Sequence, residues 1–340
     1  MNRQRFTLRI LIITVALVIA ACTPQIHGPG EVNNPGRILS NRFITADEAM
    51  LPLKSWLPEQ APVKAVLIAI HGFNDYNNFF RQPGMFFSAQ GIACYAYDQR
   101  GFGGSPRPGS WSGTGAYVND LDLFVRLIKR KHPGVPVYVL GESMGGAITL
   151  ATLTLANATP VDGAILVAPA VWGRETMPWY QQSALWMLSH TFPGLTLTGR
   201  GLKIQASDNI EMLKALARDP LVIKQTRVEA IHGLTDLMDS ALRNAGKINT
   251  RTLLVYGEKD QIIPKKATQH FLHMFLEHNS EQKTVAFYPN GFHMLLRDLN
   301  AELVLKDIAA WIKSSSPVAL PSGADKYAQS SLIADPSSNL

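Results

Sequence analysis

The chain of 340 residues has only two cysteines, Cys22 and Cys94, so a disulfide framework cannot organise it. Charged residues make up 17% of it, too few for a disordered chain, and hydrophobic residues make up 46%. That balance suits a buried parallel sheet wrapped by helices. A long membrane-spanning run is also missing at the start: the apolar stretch Ile10 to Ala21 is about a dozen residues, too short to cross a bilayer comfortably. The excess of positive charge, formally +6, does not form a nucleic-acid footprint. Arg3, Arg5 and Arg9 sit in the leader, and the one short cluster, Lys129 to Lys131, falls near an expected helix end where it complements the helix dipole. No nucleic-acid partner is expected.

What is present begins with a targeting segment. Arg3, Arg5 and Arg9 precede the apolar run, which ends Ile19-Ala20-Ala21-Cys22. That ending is similar to the bacterial lipobox, with Ile19 where Leu is usual, and in a lipobox the Cys becomes the lipidated first residue. Thr23 rather than Asp follows, which favours the outer membrane over the inner one. The expectation is a lipoprotein signal peptide over 1–21, lipidation at Cys22, a tether over 22–40, and a lipid-anchored place in the cell envelope, at the outer membrane of a Gram-negative bacterium. An ordinary signal peptide or a short signal anchor is the alternative. Cys94, inside the apolar run Ile92 to Tyr97, reads as a buried thiol without a partner.

Downstream, compact apolar runs alternate with helical patterns. Phe43–Thr45 and Leu51–Leu57 read as an opening strand pair, followed by strands Ala65–Ile70, Ile92–Asp98, Val135–Leu140, Ala164–Ala168, Arg251–Tyr256 and Thr284–Tyr288. Helical stretches fall near Phe79–Gln90, Val118–Lys131, Ala147–Ala156, Lys265–Glu277 and Ala301–Ile312. Such alternation implies right-handed crossovers and an α/β fold with a mostly parallel central sheet flanked by helices. It fills 41–170 and 250–313. Residues 171–249 break the alternation and are rich in Trp, Met and Leu, among them Trp172, Met177, Trp179, Trp186, Met187, Met212 and Met238. They are expected to form a helical cap over the strand ends, where ligands bind, with added core packing as the alternative. Residues 314–340, rich in Ser, Pro and Ala, read as a loosely ordered tail.

Gly141-Glu142-Ser143-Met144-Gly145 has the G-x-S-x-G pattern of a nucleophile elbow. An apolar strand precedes it and a small-residue helix pattern follows. A serine on so sharp a strand-to-helix turn stands at a helix N-terminus, where the dipole favours developing negative charge. Ser143 is thus the candidate nucleophile. An alkoxide intermediate needs donors already aimed at it; the backbone N–H of Met144 and that of Phe73, in the loop His71-Gly72-Phe73-Asn74, are the candidates. His71 is expected to fix that loop. Among nine histidines, His232, His270, His273, His278 and His293 compete for the base. His293 follows the last expected strand in Asn290-Gly291-Phe292-His293, which is where the base belongs in the order Ser, acid, His. Asp260, after Arg251–Tyr256, is the candidate acid, with Glu258 as runner-up. Asp98 and Arg100 precede the serine and read as turn-fixing.

Together, His71-Gly72, Tyr97-Asp98-x-Arg100-Gly101-x-Gly103-x-Ser105, Gly141-x-Ser143-Met144-Gly145-Gly146, Gly257-x-x-Asp260 and Gly291-x-His293 resemble the monoacylglycerol lipase and lysophospholipase-like α/β hydrolases over about Leu51 to Ile312. The resemblance implies a Ser143-Asp260-His293 triad, an oxyanion hole at Phe73 and Met144, a helical cap, hydrophobic acyl esters as small-molecule substrates, and no metal or organic cofactor. Glu142 stands where the animal lipases carry His and related plant esterases carry Glu. Two other readings stay open: amide or peptide cleavage on the same triad, and a non-catalytic envelope lipoprotein that keeps the fold.

Overall fold

The computed structural model describes residues 23–59, 62–199, 201–314 and 318–334. The leader, including Cys22, lies outside these. Among the described residues no helix is long and apolar enough to cross a membrane.

The strands are β1 (Arg37–Ile38), β2 (Arg42–Ile44), β3 (Met50–Trp56), β4 (Ala65–Ile70), β5 (Ile92–Tyr97), β6 (Val137–Glu142), β7 (Gly163–Val167), β8 (Thr196–Leu197), β9 (Thr226–Arg227), β10 (Thr252–Gly257) and β11 (Lys283–Tyr288). The helices are α1 (Arg81–Ser88), α2 (Thr114–Lys131), α3 (Met144–Leu153), α4 (Trp179–Thr191), α5 (Ile210–Arg218), α6 (Val228–Asn244), α7 (Lys265–Leu276), α8 (Ala301–Lys313) and α9 (Ala324–Ala334). The main sheet runs β1-β2-β3-β5-β4-β6-β7-β10-β11. β1, β2 and β3 pair antiparallel, as does β3 with β5, and every later pairing is parallel. This is the α/β-hydrolase architecture that the alternation implied.

Why the central strands read as unbroken apolar runs is clear in β4, whose six residues are all buried. Val66, Ile68 and Ile70 face one helical layer, while Ala65, Leu67 and Ala69 face the other. The first layer takes Phe124 of α2, Ile148 of α3, Leu237 of α6 and Phe271 of α7; the second takes Phe87 of α1 and Trp311 of α8. A two-residue period covered on both sides leaves no polar face.

Four expectations shift. The strand expected at Val135–Leu140 runs Val137–Glu142 instead, up to the residue before Ser143. Pro136 lacks an N–H for the ladder, and Val135 N–H instead closes a turn onto His132 O. The stretch expected as a tether is tied to the body over much of its length: His27 N–H donates to Trp111 O, Gly30 N–H to Asp47 Oδ2, and Asn33 and Asn34 N–H to Ala46 O. Within 171–249, α6 packs on α3, and Leu237, Ala241 and Leu242 are core residues; this part joins the body because its apolar positions recur at helical spacing. The tail, expected to be loose, carries α9 packed on β11, with Leu320, Ala324 and Ala328 buried. Alanines let a short helix approach the sheet closely, a signal masked by the Ser and Pro around it.

Candidate active site

Ser143 sits between β6 and α3 with φ 52° and ψ −114°, a conformation that strains any residue with a Cβ. The close approach that makes the turn possible depends on Gly145, where a Cβ would lie 2.1 Å from Ile70 O. Ser143 N–H donates to Val167 O and its carbonyl accepts from Ala170 N–H, both at 2.9 Å, so the backbone of β7 and of the loop after it holds the elbow.

His293 follows β11, and Asp260 follows β10. Asp260 Oδ2 lies 2.7 Å from His293 Nδ1, and both side chains are buried. Asp260 Oδ1 accepts from the N–H groups of Ile262 and Ile263 at 2.7 and 3.1 Å, which fixes the carboxylate's orientation. With Nδ1 engaged by Asp260, Nε2 is the imidazole nitrogen left for a reacting group. Ser143 and His293 line one cavity of about 360 Å³. The runner-up acid, Glu258, is turned outward, where Tyr327 O–H donates to its Oε2. His232 and His270 pair with Asp236 and Glu175, and His273 and His278 are exposed on or beyond α7. A second cavity, of about 340 Å³, lies behind Asp260 between α7 and α9, and neither Ser143 nor His293 lines it.

The loop after β4 lies against the elbow: a Cβ on Gly72 would meet Ser143 Cβ at 3.3 Å. His71 holds this loop. Gln99 N–H donates to His71 Nε2 at 3.0 Å, so the ring proton is on Nδ1, which donates to Gly72 O at 2.8 Å. Burial pushes the His71 pKa down to about 4, against the opposing pull of the Gly72 carbonyl, and a neutral ring is what this pairing requires. Asn74, at φ 65°, ties the loop to the cap through Thr226 Oγ1 at 2.7 Å. Met144 opens α3, so its N–H is among the first four without an intrahelical acceptor. Asp98 and Arg100 lie apart from the triad. Asp98 accepts from the N–H groups of Asn77 and Gly104, and Arg100 bridges Asp47 and Asp120.

One group was not singled out from the sequence. Arg297, four positions after His293, is buried and donates from Nη1 to Asp75 Oδ2 at 2.7 Å and from Nη2 to Glu142 Oε2 at 3.0 Å. Burial alone would lower its pKa, but the two carboxylates outweigh that and hold it above its ordinary value. Burial pushes the Glu142 pKa up, with Arg297 opposing. Three of the four loops carrying the candidate triad and oxyanion donors, those of Phe73, Ser143 and His293, thus meet at one guanidinium, whose planar fork suits two carboxylates. A carboxylate in the loop after β4 and one beside Ser143, with an Arg four positions after His293, was the available signal.

Apart from Thr235, the side chains that line the rest of the cavity are apolar. Trp172, Met177 and Leu185 come from the cap, Ile231 and Met238 from α6, and Phe73 from the oxyanion loop. A carboxyl-orienting pair, a serine on a strained turn and an apolar chamber can together carry out acyl transfer from an ester. Among the described residues, no cluster of side chains could hold a metal ion.

The chain is similar to several hydrolases. Monoacylglycerol lipase of Mycolicibacterium smegmatis is 26% identical over 267 residues, covering 76% of this chain and 91% of the relative. Caffeoylshikimate esterase of Arabidopsis thaliana is 25% identical over 295 residues, covering 80% and 85%. A soluble variant of monoglyceride lipase from Saccharomyces cerevisiae, solved with a substrate analogue, superposes with a TM-score of 0.69 at 21% identity, covering 86% of this chain and 99% of that one, a likeness of fold. The family model described as serine aminopeptidase, S33, matches residues 61–300, and the chain therefore belongs to that family of α/β hydrolases.

Proposed function

We propose that this protein is a serine hydrolase of carboxylic esters that takes hydrophobic acyl esters of the monoacylglycerol or lysophospholipid kind. The observation that carries the reading is the 2.7 Å contact of Asp260 with His293, at a cavity that also exposes Ser143 to an apolar wall. In the proposed cycle, His293 Nε2 takes the Ser143 proton as Oγ attacks the ester carbonyl. The N–H groups of Phe73 and Met144 hold the oxyanion. His293 then protonates the leaving alcohol, leaving an acyl-enzyme on Ser143, and water repeats the sequence to release the acid. Asp260 keeps the imidazole in the tautomer this needs.

The family description raises peptide cleavage as a second reading. An aminopeptidase needs a free carboxylate for the substrate's ammonium group. The two carboxylates that line this cavity beside Ser143, Asp75 and Glu142, are both engaged by Arg297. That favours a neutral, apolar ester.

The leader supports a cell-envelope location. We read Cys22 as acylated and the protein as held at a membrane, the outer one of a Gram-negative envelope.

A panel of p-nitrophenyl esters, monoacylglycerols, lysophospholipids and aminoacyl amides tests the activity. Ester turnover that disappears in Ser143→Ala, with the fold intact, is the expected result. Most activity surviving that change would overturn it, and amide turnover exceeding ester turnover would favour the peptidase reading.

A further inference from the structure

The second cavity beside Asp260 plays no part in the proposed cycle. It encloses about 340 Å³ between α7 and α9, and small-molecule sites begin at roughly 300 Å³. At the roughly 30 Å³ that one water takes in the liquid, it has room for on the order of ten heavy atoms. Ile263, Leu272, Phe287 and Leu332 make its interior apolar. Two charged side chains besides Asp260 line it, and they differ. Glu258 accepts from Tyr327 O–H at 2.8 Å, whereas Lys265, exposed at the start of α7, has no partner among the described residues. The first N–H groups of α7 also lack intrahelical acceptors and favour an anion there.

The wall of this cavity is the turn that holds the candidate acid. Ile263 lines both cavities, and its N–H donates to Asp260 Oδ1 at 3.1 Å. Thr268, also in the wall, donates from Oγ1 to the Tyr256 hydroxyl at 2.5 Å. That hydroxyl keeps its own proton for Asp260, to which it is hydrogen-bonded. Burial, and then the Asp260 carboxylate, push the Tyr256 pKa well above its ordinary value, so the proton stays in place. The Asp260 side chain itself is 1% exposed. A ligand in this cavity therefore touches the partners of Asp260 and not its carboxylate.

We propose that this cavity is a second binding site, which takes a free medium-chain fatty acid with its tail among Leu272, Phe287 and Leu332 and its carboxylate at Lys265. The cavity itself asks for an apolar tail with one anionic head. The choice of a fatty acid rests on the ester reading above, because that reaction releases such acids. An occupant that displaces Ile263 or Thr268 moves a hydrogen-bond partner of Asp260, directly or through Tyr256. Asp260 then holds His293 less well, and a shift of about 1 Å at a catalytic group can cost on the order of 10²-fold in rate. The released acid thus slows further turnover from outside the active-site cavity.

The test titrates the full chain with octanoate by calorimetry, after Ser143 has been labelled with an alkyl fluorophosphonate whose chain fills the active-site cavity. One octanoate per chain should still bind. Leu332→Trp, at a half-buried position, fills the second cavity and should weaken this binding by about tenfold or more. Lys265→Met should weaken octanoate severalfold and leave octanol unchanged. In the unlabelled enzyme, octanoate should lower kcat for p-nitrophenyl acetate as well as raise KM, and Leu332→Trp should remove only the kcat effect. No octanoate on the labelled chain would overturn the proposal, as would binding that Leu332→Trp leaves unchanged. Binding with kcat untouched would overturn the action through Asp260. If the fluorophosphonate fails to label Ser143, the hydrolase reading is what fails; titration of the unlabelled chain, compared with Leu332→Trp, still decides this site.

Discussion

Arg297 Nη2 donates to Glu142 Oε2 across 3.0 Å, tying the loop that carries His293 to the residue before Ser143. Both side chains are buried, and the second carboxylate on Arg297 comes from Asp75 in the loop after β4. Removing the cation strands two like charges in a low-dielectric site. Arg297→Met should therefore destabilise the fold by about 3–5 kcal/mol, read as a shift of the urea midpoint. Glu142→Gln keeps a hydrogen bond to Arg297 and should cost clearly less. Equal losses would mean that the guanidinium does not hold the loops together by charge.

Ser143 occupies a left-handed backbone conformation, so the strain falls on the candidate nucleophile. Ser143→Gly should be more stable than Ser143→Ala by about 1 kcal/mol or more, since glycine takes this backbone conformation without strain and is also the better residue of the two at a helix N-cap. Thermal unfolding of the two inactive variants measures the difference, and alanine matching glycine would contradict the strain.

Asp260 holds His293 by Nδ1. In Asp260→Asn the amide can present its N–H to that nitrogen and favour the wrong tautomer. Turnover should fall on the order of 10⁴-fold, with a melting temperature close to that of the wild type. A loss below tenfold would leave Asp260 without the orienting role.

His71 is neutral in the fold, its pKa lowered to about 4 by burial. The unfolded chain takes up a proton below its ordinary value of 6.5, so the stability due to this ring is complete above that pH and is lost as pH falls toward 4. Burial raises Asp98 and Asp120 to about 6, which works in the opposite direction over the same range. Comparing wild type with His71→Gln cancels those carboxylates. The gap in unfolding free energy should narrow by on the order of 3 kcal/mol between pH 7 and 4. A constant gap would refute the neutral ring.

Gly145 is tested by Gly145→Ala. The added Cβ would meet Ile70 O at 2.1 Å, a backbone atom that cannot swing aside. The variant should lose at least about 3 kcal/mol, measured by urea unfolding, and normal stability would mean that the elbow can relax.

Much of this was legible in the chain itself. The apolar runs of β4, β5, β7, β10 and β11 stand within a residue or two of where the structure has them, because strands covered on both faces are mostly apolar along their length. Ser143, Asp260 and His293 could be chosen because each follows a strand at the rim where such folds bind ligands, and the structure brings Asp260 onto His293 there. Local patterns of this sort depend on neighbours a few positions apart.

What only the tertiary structure decided depends on distant partners. Glu142 and Arg297 are 155 positions apart, and the sequence, though it offers the two carboxylates and the Arg, does not pair them. Whether α6 caps the cavity or enters the core depended on the face α3 offered it, and whether Ala324–Ala334 stays loose depended on bare sheet beside β11. Composition cannot report these outcomes, because the free energy of burial belongs to the surface an element meets as much as to the element itself.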